Sequence, residues 1–298
     1  MRLLLALLLL AGPALAQMTA LPPDVQAAIR TIGPTMGADG VARTTEALRP
    51  VMPANPAPTL RDATYGPDPR HRLDVFSPGG GSARPVLVFV HGGGFTGGDK
   101  TRPGVFYYDN IGAWAARQGM VGVTVTYRLA PTHSYPAAAE DIATALAWVA
   151  THIAAHGGDP ARIILIGQSA GAAHVADYLA LHAQAPGVAA AALISGVYDP
   201  SRFPPGPPEQ AYYGADPAPY PARAAGPRLP ALRIPLLLTI AQFEPQGFRD
   251  QGAALHRLLP AASFIDLPGH NHFSTVFAIG SADTGLSDAI LALTRSLP

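Results

Sequence analysis

The chain has 298 residues, 48% of them apolar, with 20 Lys+Arg against 20 Asp+Glu and no cysteine. That length suits one large α/β domain or two small ones. The balanced charge and the lack of a basic run argue against a nucleic-acid partner, and the missing cysteine excludes disulfides and a lipidated-cysteine anchor.

Residues 1–16 have the form of a signal peptide. Arg2 is the basic start, Leu3–Leu10 the short apolar run and Ala14-Leu15-Ala16 the small-residue cleavage site, leaving Gln17 first. The apolar run is too short to span a bilayer comfortably, so the expectation is an exported protein, periplasmic or secreted, with no stable membrane anchor after cleavage. Residues 17–58 are rich in Ala, Pro and Gly, with helices expected over Asp24–Ile32 and Val41–Leu48 and a Pro-broken linker after them. This segment is expected to be a small N-terminal cap or arm.

From residue 59 a strand and helix rhythm runs to residue 298. Thr59–Tyr65 and His71–Phe76 read as edge strands around the turn Gly66-Pro67-Asp68-Pro69. Pro85–Val90 is a continuous β-branched run of the kind buried on both faces. A helix over Val105–Gln118 and a strand over Val121–Tyr127 follow. Pro136–His156 is the clearest helix, with Ile142, Leu146, Val149 and Ile153 on one face and Pro136 in its first turn. Then come strand Arg162–Gly167, helix Ala170–Gln184 and strand Ala189–Ser195. The Pro-rich stretch 198–230, with Phe203, Tyr212, Tyr213 and Tyr220, is long for a connection and is expected to be a functional loop or lid piece. Strand Pro235–Ile240, helix Gly247–Leu259, strand Ser263–Leu267 and a last helix capped by Asp283 complete the chain. Such alternation implies a mostly parallel sheet covered on both faces, with its site at the carboxyl ends of the strands.

Gly167-Gln168-Ser169-Ala170-Gly171 follows one of these strands and opens a helix. A tight strand-to-helix turn presents its serine on strained backbone and tolerates only small residues two positions before and after it. The new helix directs its positive end at Ser169. His91-Gly92-Gly93-Gly94-Phe95 follows another strand. Its bare N–H groups at Gly93 and Gly94, with that of Ala170, can cradle an oxyanion. A phosphate-binding loop does not fit, because neither G-x-x-x-x-G-K-[ST] nor G-x-G-x-x-G is present. A serine nucleophile needs a base and an acid. After the last strand His270 and His272 compete as base. For the acid, Glu244 stands just past a strand end, Asp250 lies too far into a helix, and Asp199 is better suited to closing its own turn. No histidine spacing marks a metal site.

In their order along residues 59–298, His91-Gly-Gly-Gly-Phe95, Gly98-Asp99-Lys100, Tyr127-Arg-Leu-Ala-Pro131, Glu140-Asp141, Gly158-Asp-Pro160, Gly167-Gln-Ser-Ala-Gly171 and His272-Phe273 make the chain resemble the hormone-sensitive-lipase-like and kynurenine-formamidase-like branches of the α/β-hydrolases. The resemblance implies an α/β-hydrolase fold, with a mostly parallel central sheet and helices on both faces. It also implies esterase activity on small or short-acyl esters and no cofactor. It selects His272 as base, because the family's histidine directly precedes an aromatic residue, and leaves His270 to shape the loop. The family's order of serine, acid, histidine leaves His91, which precedes Ser169, as a structural anchor. Two departures stand out: Ala172 where another glycine is frequent, and Glu244 where aspartate is usual. Either carboxylate can fix the imidazole tautomer. Asp99, Lys100, Arg128 and Asp141 read as loop braces. Phe95, Gln168, Phe243 and Phe273, with aromatics of the 198–230 loop, are the expected pocket lining. The partner is a small-molecule ester; nothing in the sequence speaks against a homodimer. Amide or aryl-formamide hydrolysis and acyl transfer use the same residues, and a non-catalytic hydrolase-fold binding protein is the reading outside enzymes.

Overall fold

The computed structural model describes residues 20–182, 184–202 and 206–297. The expected signal segment 1–16, Gln17 and Phe203 lie outside the described residues.

Two amphipathic helices open the described chain, α1 (Pro23–Ile32) and α2 (Gly37–Leu48). Strands β1 (Leu60–Thr64) and β2 (Arg72–Phe76) pair antiparallel around the Pro-rich turn. Strands β3 (Arg84–Val90), β4 (Val121–Val125), β5 (Gly158–Gln168), β6 (Val188–Ile194), β7 (Leu236–Ala241) and β8 (Ser263–Leu267) pair in parallel. The sheet order is β1-β2-β4-β3-β5-β6-β7-β8, and β2 joins β4 antiparallel.

The pleat divides each central strand between two cores. Val86, Val88 and Val90 of β3 and Ile163 and Leu165 of β5 face one core, together with helices α4 (Ala137–His152) and α5 (Ala170–Leu181). Leu87, Phe89, Ile164 and Ile166 face the other, together with α1, α2, α3 (Asp109–Arg117) and α10 (Gly285–Arg295). Both faces of these strands are sealed, which is why their sequences are continuous apolar runs.

Several boundaries differ from the sequence expectation, each for a local reason. The helix expected from Val105 begins only at Asp109, an acidic first-turn residue that also pairs with Arg61 at 2.9 Å. Residues 105–108 are non-helical, and Val105, Tyr107 and Tyr108 border a cleft. Pro136 precedes α4 as its cap, and the helix tightens into a 3-10 turn over Ile153–His156. Gly157, at φ 85°, ends that turn, so β5 starts at Gly158, four residues earlier than expected. α5 stops at Leu181.

The described residues of the 198–230 stretch include two short helices, α6 (Pro207–Tyr213) and α7 (Tyr220–Arg223). Tyr212, Tyr213 and Tyr220 are buried in the first core. Helix α8 (Gln246–Leu258) precedes β8, and a short α9 (Ser274–Phe277), absent from the sequence expectation, follows the histidine loop.

β3 has β4 on one side and β5 on the other, so the chain reverses its progress across the sheet at β3. The carboxyl ends of β3 and β5 are therefore adjacent where an open α/β sheet leaves a crevice. The glycine loop and Ser169 both emerge there.

Candidate active site

Ser169 stands between β5 and α5 with φ 58° and ψ −125°, a conformation that costs a non-glycine residue roughly 1–3 kcal/mol unless its surroundings enforce it. They do enforce it. Its N–H donates to Ile194 O at 2.9 Å, and its carbonyl accepts from Ala172 and Ala173 in the first turn of α5. A Cβ on Gly167 would run into Gly171 O, and one on Gly171 would run into Val90 O. The turn can close only with bare backbone at both positions. Ala170 is the first residue of α5, so its N–H has no carbonyl one turn earlier to receive it. Ala172 lies fully buried in this turn, at the position where the sequence departs from the resemblance.

The loop after β3 packs directly on the elbow. A Cβ on Gly92 would lie 2.6 Å from Gln168 Oε1 and 3.1 Å from Ser169 Cβ. Gly93 and Gly94 have φ 145° and 58°, and their carbonyls accept within the loop from Gly97 and Thr96. His91 anchors this loop from below. Its ring stacks on Tyr127 at 4.4 Å, its Nδ1 is 2.6 Å from Gly92 O, and its own carbonyl accepts from Tyr127 OH at 2.7 Å. Burial lowers its pKa to about 4, so it is a neutral Nδ1–H donor at pH 7.

Farther along the loop, buried Lys100 pairs with Asp74 at 2.9 Å and Asp62 at 2.6 Å. The Arg128 N–H and guanidinium both bond Asp141. Asp99 lies 3.9 Å from Arg70. These groups touch each other and the loops, not Ser169.

The third segment is 269–274. His272 Nδ1 lies 3.1 Å from Glu244 Oε2, and Glu244 Oε1 accepts the N–H of Ala241 at 2.8 Å. Both side chains are buried. His272 Nε2 is buried too and has no hydrogen-bond partner among the described residues. The loop is tied to the elbow by Gln168 Nε2, which donates to His272 O at 3.0 Å, and to the loop of Glu244 by Phe243 N–H, which donates to His270 O at 2.8 Å.

His270 has partners of its own, with Nδ1 3.0 Å from Ser274 Oγ and Nε2 2.7 Å from Asp283 Oδ2. Burial raises the Asp283 pKa, but the His270 contacts and the Gly285 N–H outweigh it and hold the carboxyl below its ordinary range. Asp199 closes its turn on Ser201 and Arg202, and Asp250 bonds only exposed Gln246 among the described residues.

A cleft of about 920 Å³ opens over Ser169, bordered by Gly92–Gly94, Gln168 and Ala170. Phe95 and Phe273 border it as the sequence suggests, although Phe95 is mostly engaged in stacking on Tyr212 at 5.0 Å. Phe243 does not border it; Phe248 does, and its ring lies 4.4 Å from the His272 ring. Sequence reasoning missed Phe248, Tyr107, Tyr108 and the α2 residues Val41 and Thr45. The helical period of α8 and α2 could have shown which faces are apolar, but not that those faces meet Ser169.

Residues 87–219 match a family described as alpha/beta hydrolase fold. A carboxylesterase of Mycobacterium tuberculosis is 47% identical over 88 residues, 29% of this chain and 26% of that one. A tuliposide A-converting enzyme of Tulipa gesneriana is 33% identical over 156 residues, 48% of this chain and 41% of that one. The chain thus spans well under two thirds of the curated relatives it matches. Among solved structures, an esterase of Pyrobaculum calidifontis superposes with a TM-score of 0.68 at 24% identity, covering 93% of this chain and 97% of that one. A thermophilic carboxylesterase cloned from a metagenomic library gives 0.67 at 22% identity, covering 92% and 98%.

With the parallel sheet and the strand-turn-helix serine, these matches define the class of fold: the chain has the α/β-hydrolase fold.

Proposed function

We propose that the protein is a serine carboxylesterase acting on small or short-acyl esters, with Ser169, His272 and Glu244 as its triad and the N–H groups of Gly93, Gly94 and Ala170 as its oxyanion hole. The buried contact of His272 Nδ1 with Glu244 Oε2 at 3.1 Å carries this reading. A carboxylate at Nδ1 keeps the proton on that nitrogen and the lone pair on Nε2, the tautomer a general base requires. The bond from Gln168 to His272 O joins the base's loop to the residue before the nucleophile.

Ser169 Oγ attacks the ester carbonyl carbon as its proton passes to His272 Nε2. The carbonyl π pair moves onto oxygen, where the three N–H groups receive it. Collapse expels the alkoxide, which takes the proton from Nε2 and leaves as the alcohol. Water then attacks the acyl-enzyme, giving its proton to the same nitrogen; the acid leaves and Ser169 regains its proton. The Glu244 carboxylate stabilises the imidazolium formed in each half. The cleft exceeds the needs of a short acyl group, so the surplus space suits a bulkier alcohol portion.

The test assays p-nitrophenyl esters of graded chain length beside aryl formamides, with fluorophosphonate labelling followed by peptide mapping. The reading expects ester turnover that falls with acyl length and one adduct, on Ser169. Undiminished ester hydrolysis by Ser169→Ala, or labelling elsewhere, refutes it. Faster turnover of formamides than esters moves the assignment to amide chemistry.

A further inference from the structure

Helix α2 does more than cover the cleft. Asn271, the residue before His272, donates from Nδ2 to Thr44 Oγ1 of α2 at 3.0 Å, joining positions 227 apart in sequence. Its Oδ1 accepts the N–H groups of Phe273 at 3.1 Å and Ser274 at 2.9 Å, which caps α9. Asn271 and Thr44 have no exposed surface. One turn before Thr44, α2 lies so close to the next residue of the loop that a Cβ on Gly40 would be 2.8 Å from Phe273 Cε2. The amide of Asn271 thus fixes the backbone on both sides of His272 and is itself held at its donor end by α2.

Other ties of this loop come from outside α2: Glu244 at the His272 ring, Gln168 at its carbonyl, Phe243 at the His270 carbonyl, Gln242 at the Gly269 N–H and Asp283 at His270. α1 and α2 share a core with Phe273 and Phe277 through Ile29, Ile32 and Leu48.

On the reading of His272 as general base, we propose that Thr44 and Asn271 are positioning residues: the hydrogen bond from α2 sets the pitch of the His272 loop, and activity depends on it. A base displaced by a fraction of an ångström loses rate without losing substrate affinity, because only the transition state uses the proton transfer.

The experiment compares wild type, Thr44→Val, Thr44→Ser and Ser169→Ala as full chains. It measures kcat and KM on p-nitrophenyl acetate, normalised to folded protein by circular dichroism, and the rate of fluorophosphonate labelling. Thr44→Val keeps the shape and deletes the acceptor; Thr44→Ser keeps the acceptor. The proposal expects kcat and labelling rate of Thr44→Val to fall about tenfold with KM within about twofold, and Thr44→Ser to return to within about twofold of wild type. Full kcat in folded Thr44→Val overturns it, as does an equal loss in both Thr44 variants or a loss confined to KM or Tm. Should Thr44→Val not fold, the comparison passes to Thr44→Ala, which also removes the acceptor of the Asn271 amide, and the same kcat loss per folded molecule is expected. Activity retained by Ser169→Ala refutes the esterase mechanism itself, whereas an inactive Ser169→Ala beside a fully active Thr44→Val refutes only the positioning role.

Discussion

His270 Nε2 lies 2.7 Å from Asp283 Oδ2, so two buried imidazoles, two residues apart in one loop, each have a carboxylate of their own. The two pairs differ in where the remaining ring nitrogen is committed. That of His270 faces Ser274 Oγ, while that of His272 has no protein partner among the described residues.

The difference separates their variants. His270→Ala strands a buried aspartate and should cost about 3 kcal/mol of stability, read as a lower urea midpoint, while kcat per folded molecule falls less than tenfold. His272→Ala likewise strands the buried Glu244 and should cost a similar amount of stability, but it should lose kcat per folded molecule by about 10⁴ or more. The reverse ranking in kcat would reassign the base.

Glu244→Gln tests the tautomer. The amide can still accept the Ala241 N–H, but its NH₂ group then faces His272 Nδ1 and forces the proton onto Nε2. We expect kcat to drop about 10⁴-fold with the thermal midpoint nearly unchanged. Retention of a tenth of the activity would leave the carboxylate without its role.

The glycine loop should respond by position. A methyl on Gly92 meets Gln168 Oε1 at 2.6 Å and Ser169 Cβ at 3.1 Å, so Gly92→Ala should lower kcat by about 10²-fold by disturbing the residue that ties His272 to the elbow. Gly94 has free space, its nearest neighbour being Pro208 at 3.8 Å, but its φ is 58°. Gly94→Ala should mainly cost stability, about 1 kcal/mol of backbone strain. Equal kcat losses in the two variants would contradict the geometry.

His174 of α5 is fully buried among Phe95, Tyr127 and Tyr212, and burial lowers its pKa to about 3. A histidine whose folded pKa lies below its unfolded value of 6.5 lets the unfolded chain bind the extra proton. Its contribution is complete above pH 6.5 and is lost as pH falls toward 3. Asp177, one turn on, is held well above its ordinary range by burial and acts in the opposite sense. Comparison of wild type with His174→Phe isolates the histidine. The wild-type unfolding free energy should fall between pH 7 and pH 5 by about 2 kcal/mol more than the variant's. Parallel pH profiles from urea titrations would show that His174 is not the source.

Much of this site is legible in the chain because the chemistry constrains short sequences. The elbow needs small residues at Gly167 and Gly171 for the collisions found there, and its serine must follow a β-branched strand and begin a helix. Buried parallel strands announce themselves as apolar runs, so the central strands were readable to within a few residues. Periodicity was weakest where tertiary contacts override it. Val105, Tyr107 and Tyr108 continue a helical pattern yet border the cleft, and Tyr212, Tyr213 and Tyr220 of the 198–230 segment pack into the first core instead of standing free.

By itself, then, the sequence determined the order of strands and helices and the local turns that present Ser169 and bare the amides of Gly93 and Gly94, because these depend on residues within a few positions of one another. Only the tertiary structure decided that His270 belongs to Asp283 and His272 to Glu244, that Phe248 and not Phe243 borders the cleft, and that Thr44 holds the loop of His272. Those pairings join segments from 13 to 227 positions apart. The aromatic after His272 marks that histidine through the resemblance, but no local pattern encodes which distant carboxylate each imidazole meets; packing of the sheet, α2 and α10 around the loop settles it.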